Sequence, residues 1–221
     1  MTDARITAVM NFVREGSRVA DVGADHGYLS IELAANGRAK FVTATEKNLQ
    51  PLQAARKNIS AAGLENVIDT RHGDGLKVLL AGEVDTICIA GMGGALIATI
   101  LDESPEVVQS ARQLILQPMN ASDKVRTWLN ENDWAVDDED LAEVAGFVYE
   151  IISAVKTSEF VPKKFKRESS PLLKKFLSQR AEKLQRVLDA MNQSHVARTS
   201  EKFLATRDEL NALQREIDGL P

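Results

Sequence analysis

The side chains with chemistry to offer stand in a series of short turns, each following an apolar, strand-like run. Residues 18–22 run through Asp21-Val into Gly23-Ala-Asp25-His26-Gly27-Tyr28, so that two carboxylates, an imidazole and a phenol gather around a turn with two glycines. Glycine there permits positive φ and close approach of the backbone to a ligand. The run at residues 41–45 ends in Glu46, and the run at residues 67–71 ends in His72-Gly73-Asp74-Gly75. A fourth run closes with Ala90-Gly91-Met92-Gly93-Gly94 and a fifth with Gln117-Pro118-Met119-Asn120. In an open α/β sheet, such turns lie at the carboxyl ends of the strands, where ligands bind.

Spacing and charge narrow the ligand. A dinucleotide cradle needs G-x-G-x-x-G so that a pyrophosphate can rest on a helix N-terminus. Here the spacing is Gly23-x-x-x-Gly27, with Asp21 and Asp25 alongside. Each carboxylate at ~4 Å would cost a diphosphate roughly 1–4 kcal/mol. They suit a ligand that is positively charged and lacks phosphate, as S-adenosylmethionine is, with its sulfonium and α-ammonium. Glu46 stands about 20 residues beyond the glycines, where a carboxylate accepts hydrogen bonds from both ribose hydroxyls. Asp74 stands where an adenine amino group can be read, and the glycines around Met92 leave room for a ligand's flat face. Blander readings exist for each: a helix N-terminal charge for Glu46, a turn former for Asp74, a tight turn for the glycines. His26 reads first as a hydrogen-bonded residue at a helix start, and His72 and His195 as ordinary residues. Cys88, inside the fourth run, reads as a small buried apolar side chain.

The elements that must carry these turns follow from periodicity. An amphipathic helix (Ile6, Val9, Met10, Val13) stops at Gly16, and helices are expected at about residues 28–35 and 49–62, the latter closed by Gly63. Strands alternating with helices imply parallel pairing, hence a doubly wound α/β sheet. Two further strand patterns, residues 134–141 and 148–155, come at the end. Beyond them Leu173, Leu177, Leu184, Val187 and Met191, then Phe203, Leu210, Leu213 and Ile217, recur at helical spacing. They predict an antiparallel helical hairpin of coiled-coil type, joined by a polar loop.

Composition bounds the function. The 221 residues are 44% apolar, too many for a disordered chain, and the longest apolar stretches are too short for a membrane span. The start of the chain shows no secretory signal pattern, and a single cysteine offers neither an internal disulfide nor a cysteine metal site. A cytoplasmic, metal-free protein is expected, as a monomer. The net charge of −5 hides a division, because residues 1–160 carry −10 and residues 161–221 carry +5. Twelve of the 13 glycines also precede residue 161, and FVPKKFKRESSP reads as a linker. Two domains are therefore expected, 1–160 for the ligand and 161–221 for the hairpin. Lys163, Lys164, Lys166 and Arg167 open a segment, residues 163–186, with nine basic and two acidic side chains. Such a stripe can follow a phosphate backbone, or be a solvated coiled-coil face.

Taken together, ADVGADHGYLS, GDGL, DTICIAGMGG with the following LI, LQPMN with a downstream RTWL, and FVYEII resemble the bacterial tRNA (adenine-22-N1)-methyltransferase family. The resemblance spans nearly all of residues 5–156 plus the hairpin; Ala24 and Gly27 stand where the family often has Ser and Ala. It implies a Rossmann-like class I methyltransferase that uses S-adenosyl-L-methionine and acts on an adenosine near the D-loop of tRNA. By position, Asp21, Gly23, Asp25, His26 and Tyr28 would line the methionine end of the donor and Glu46 its ribose. Asp74 and Gly75 would hold its adenine, and Ala90, Gly91 and Met92 its other face. Attack by adenine N1 uses an in-plane lone pair and needs no base, so positioning and charge carry the reaction. Asp25, Gln117, Asn120 and the carbonyls of the Ala90-Gly91 turn are candidates to stabilise the cationic product base, and Tyr28 to stack on it. Competing readings are a methyltransferase for another RNA or a small molecule, and an RNA-binding protein without activity.

Overall fold

The computed structural model describes residues 3–220, with the side chain of His195 outside that set. Seven strands form one sheet: β1 (Ser17–Val22), β2 (Ala39–Glu46), β3 (Ile68–His72), β4 (Thr86–Met92), β5 (Gln113–Pro118), β6 (Trp134–Val144) and β7 (Phe147–Lys156). Their order is β3-β2-β1-β4-β5-β7-β6. The first five strands are parallel, as the alternating pattern requires, whereas β7 lies antiparallel between β5 and β6. The parallel expectation therefore stops at β5. The reason is local: Ala145 (φ 50°) and Gly146 (φ 84°) connect β6 to β7, and two successive positive φ values make a tight hairpin turn.

Side-chain alternation along the strands divides the core into two layers. Val19, Val42, Cys88, Ile115 and Ile151 face α1 (Ala4–Phe12), α2 (Tyr28–Ala35) and α3 (Leu49–Ala61) through Val9, Leu33 and Ile59. Ala20, Ile87, Ile89, Leu114 and Ile152 face α4 (Gly94–Asp102), α5 (Pro105–Ser110) and α6 (Ser122–Glu131) through Ile97, Leu101, Val108 and Leu129. Parallel register aligns the strand ends: Val22 pairs with Thr45 and Ile89, and Ala90 with Gln117. All the turns picked out by their chemistry therefore open on one edge of the sheet.

The hairpin consists of α7 (Leu173–Met191) and α9 (Glu201–Asp218), with one extra turn of helix, α8 (His195–Arg198), inside the expected polar loop. It runs antiparallel: Leu173 and Leu177 cluster with Leu213 and Ile217, and Arg180 Nη2 lies 2.6 Å from Glu209 Oε1. Its seam differs from the expected stripe at one place. Val187 is exposed and Leu188 is buried, because the inward face advances by four residues after Leu184 rather than three. The same cluster contains Leu141 and Val148, so the hairpin packs on the β6–β7 ribbon.

Candidate active site

The turn after β1 is built from left-handed backbone at Gly23 (φ 71°), Asp25 (φ 50°) and Gly27 (φ 75°). Gly23 and Ala24 both donate their N–H to the Thr45 carbonyl, at 2.8 and 3.0 Å, which ties the turn to β2. A Cβ on Gly23 would meet Met92 Cε at 2.2 Å. The two expected ligand-facing turns therefore touch; a Cβ at Gly23 would push the flexible end of Met92 aside and would be strained at this positive φ. Gly91 (φ 77°) bulges out of β4 and donates its N–H to Gln117 Oε1 at 3.0 Å.

Between these turns lies a cleft of about 930 Å³, lined by Asp21, Gly23, Asp25, His26, Tyr28, Glu46, Ala90, Gly91, Met92 and Gln117 among others. Asp21 is buried on its floor, and its Oδ2 accepts a 2.6 Å hydrogen bond from Ser30 Oγ in the first turn of α2. Burial pushes its pKa up to about 6, against the Ser30 bond that lowers it, and the nearby Glu46 charge adds to the rise. Glu46 is also buried. Its Oε2 accepts from Asp25 N–H at 3.2 Å, and its Oε1 accepts from Asn48 N–H at 2.8 Å and Asn48 Nδ2 at 3.1 Å. At the mouth the rings of His26 and Tyr28 stack at 5.6 Å and 24°, with Tyr28 55% exposed.

The remaining expected residues are placed differently. Asp74 is outside the lining of the cleft. Its carboxylate accepts from Lys47 Nζ at 3.0 Å, lies 3.8 Å from Lys77 Nζ, and is held below its usual range chiefly by the Lys47 hydrogen bond. Gly75 likewise lies outside the lining, packed against Ile100 on the α4 side. Gln117 is fully buried; its amide oxygen takes the Gly91 N–H and its Nε2 donates to the Pro118 carbonyl, so it shapes the Gly91 turn. Asn120 is exposed on the loop after β5, its side chain beside Gly93. The linker cations turn inward. Lys163 Nζ lies 3.3 Å from Asp138 Oδ2, Lys166 Nζ sits 4.2 Å over the Phe12 ring, and Arg167 Nη1 lies 3.0 Å from Glu139 Oε2. Lys164 is exposed.

Sequence reasoning overlooked one wall of the cleft. Asp3, Arg5, Ile6 and Val9 of α1 and its cap line it too, with Ala24, Leu29, Glu32, Asn48 and Pro51. The available signal was the cap itself, an Asp two residues before an Arg at the start of an amphipathic helix.

A carboxylate-floored cleft at the carboxyl edge of this sheet, with a β7 strand inserted antiparallel, defines a class I methyltransferase. The residues present fit an adenosyl sulfonium donor: among the described residues buried Asp21 has no cationic partner, Glu46 is aimed by backbone N–H groups, and the Met92 side chain lies over Gly23, which has none. Residues 2–152 match the family model described as "Methyltransferase domain". The tRNA (adenine(22)-N(1))-methyltransferase of Bacillus subtilis is 38% identical over 150 residues, covering 68% of this chain and 63% of that enzyme. In that match the chain spans less than two thirds of the relative's length. Among solved structures, Sp1610 of Streptococcus pneumoniae in complex with S-adenosyl-L-methionine is 32% identical with a TM-score of 0.83, covering 98% of this chain and 100% of that one. The B. subtilis m1A22 tRNA methyltransferase TrmK is 28% identical with a TM-score of 0.84, covering 98% and 99%. The chain belongs to the S-adenosylmethionine-dependent methyltransferases and, within them, to the TrmK family.

Among the described residues no helix is long and apolar enough to cross a membrane, and no group of three or more His, Cys, Asp or Glu side chains could hold a metal ion.

Proposed function

We propose that this protein transfers the methyl group of S-adenosyl-L-methionine to N1 of adenosine 22 in the D arm of tRNA. The observation that carries the reading is the meeting of Asp21, Glu46 and the Gly23–Met92 contact in one cleft, in a chain that shares its fold from end to end with TrmK. When bound, the donor supplies an electrophilic methyl group on a sulfonium. Asp21 attracts the positive end of the donor, and Glu46, whose Oε1 already accepts twice from Asn48 and whose Oε2 accepts once from Asp25, keeps a lone pair on Oε2 for a ribose hydroxyl. Asp74 and Gly75 act at the adenine end from outside the lining, through the backbone of their turn.

Adenine N1 enters with its lone pair available once the nucleotide leaves the stack, at a cost of a few kcal/mol. Tyr28, stacked on His26 and open to solvent, is the platform for the incoming base. As N1 acquires its methyl group the base becomes a cation. The Asp25 carboxylate and the Asn120 amide oxygen beside Gly93 stabilise that charge, the latter by accepting from the N6 amino group. Gln117 acts through the turn it holds and is a positioning residue. The hairpin, residues 161–221, meets the tRNA through exposed cations such as Lys164, Lys174, Lys183 and Arg186, while Lys163, Lys166 and Arg167 fix its root to the sheet. The protein works in the cytoplasm as a monomer.

The test is incubation with labelled S-adenosylmethionine and unmodified tRNA, followed by nucleoside analysis. Wild-type protein should yield 1-methyladenosine, and Asp21→Ala and tRNA with guanosine at position 22 should yield none. Donor binding without methyl transfer to any tRNA would overturn the proposal.

A further inference from the structure

The cleft presents an electrostatic problem for an RNA substrate. Its lining includes five carboxylates, from Asp3, Asp21, Asp25, Glu32 and Glu46, and among the described residues that line it Arg5 is the only Lys or Arg. An adenosine swung into this cleft brings its flanking phosphates to the mouth, against that negative field. Arg5, in the lining with its side chain 26% exposed, is the cation available to meet them. Asp3, the N-cap of α1, accepts from the Arg5 backbone N–H at 2.8 Å and also clamps the guanidinium, through Nη2 at 2.7 Å and Nε at 3.2 Å. The Asp3 bond, outweighing burial, raises the pKa of Arg5, so the cation is permanent.

The other end of the guanidinium is held by weak partners. Nη1 donates to Met119 Sδ at 3.3 Å, and Cζ lies 5.3 Å from the centre of the Tyr149 ring. A thioether is a poor acceptor, and a ring face attracts the charge without filling a donor. Arg5 thus bridges α1, the loop after β5 and strand β7, yet keeps N–H groups on both terminal nitrogens for an outside acceptor. The product base is itself a cation, and a guanidinium at ~4 Å from it would oppose the reaction by roughly 1–4 kcal/mol. That disfavours the base; the anions left are the donor's α-carboxylate and the RNA backbone, which donor affinity and tRNA affinity tell apart. Resting on the tRNA reading above, we infer that Arg5 is a phosphate anchor, binding the RNA backbone beside the adenosine that enters the cleft.

A double-mutant cycle tests the anchor. One axis is Arg5→Gln; the other is a neutral methylphosphonate at each phosphate flanking adenosine 22 of otherwise unmodified tRNA. Arg5→Gln should weaken tRNA binding about tenfold and reduce the salt slope of log K by about one, with donor affinity within about twofold of wild type. The methylphosphonate at the anchored phosphate should cost wild-type protein a similar factor and cost the variant little, and Arg5→Lys should recover part of the loss. Additive losses, or an unchanged salt slope, would overturn the anchor. So would a fall in donor affinity in Arg5→Gln, which would make Arg5 a contact of the donor's carboxylate or, with a lower melting temperature as well, part of the cleft's frame. Wild-type protein that neither binds nor methylates unmodified tRNA would overturn the tRNA reading itself, and the anchor with it.

Discussion

In the cleft, buried carboxylates stand without cations among the described residues: Asp21 has the Ser30 hydroxyl, and Glu46 has N–H groups. At the edge of the same sheet, buried carboxylates are saturated with them. Glu139 of β6 and Glu150 of β7 share Arg126, with Glu150 Oε2 2.6 Å from its Nη2, and Arg167 of the linker closes the group from above. Burial opposes the charge on Arg126, but Glu150 and Glu139 outweigh it and raise its pKa. The two clusters use the same side chains for different ends. Paired charges at the edge fix how the hairpin's root sits on the sheet. Unpaired charges in the cleft are held ready for a partner that arrives from solution.

Three experiments break or sharpen this contrast, taken from the largest effect to the smallest. Arg126→Met leaves Glu139 and Glu150 with Arg167 alone and should lower stability by about 3 kcal/mol, measured by urea denaturation, while donor affinity stays near wild type. An equal loss of donor affinity would mean that the two clusters are not separable.

Asp21→Asn should act in the opposite sense. The folded-state pKa of Asp21, about 6, lies above its ordinary value of 3.8, so the folded state binds this proton more tightly than the unfolded chain. This group therefore costs stability at neutral pH, and the cost fades as pH falls from about 6 to about 4. The variant without donor should be more stable at pH 7 by about 2 kcal/mol, should lose that part of the pH dependence, and should bind S-adenosylmethionine more weakly. In the wild type, donor affinity should fall as pH drops below about 6. A calorimetric pH series on both proteins checks each point.

The smallest effect is expected at the linker. Lys164→Gln should weaken tRNA binding about threefold with a shallower salt slope and no change in melting temperature, because one exposed phosphate contact is worth little. Lys163→Gln should instead lower the melting temperature, because its partner Asp138 is buried.

The strand–helix order and the turns at the carboxyl edge were legible in the sequence because both depend on local pattern. Asp21, Gly23, Glu46 and Met92 converge as their spacing implied. What was not legible depends on pairings between distant segments. The acidic run at residues 137–140 and the basic run at residues 163–167 are opposite in sign and similar in length, a visible sign that the linker would fold onto β6. Read alone, the basic run looked available to RNA. Asp74 reached the expected rim, but Lys47 and Lys77, invisible as neighbours in the sequence, took its carboxylate. Val187 and Leu188 differ by one residue, and only the packing of α7 on α9 and the sheet decides between them. For Arg5 the sequence showed only the Asp3 cap at the start of α1; that it reaches the cleft follows from α1 lying against the turns.

Cys88 is the chain's single cysteine, sealed in the middle of β4, and burial, with the Asp21 charge behind it, raises its thiol well above the ordinary range. It is therefore slow to form thiolate and hard for a reagent to reach. A maleimide dye added to the native protein should find almost nothing to modify. One cysteine introduced at exposed Leu204, on the hairpin, becomes a unique attachment point without removing the native residue. A fluorophore there can report the distance from the hairpin to a labelled tRNA during a catalytic cycle.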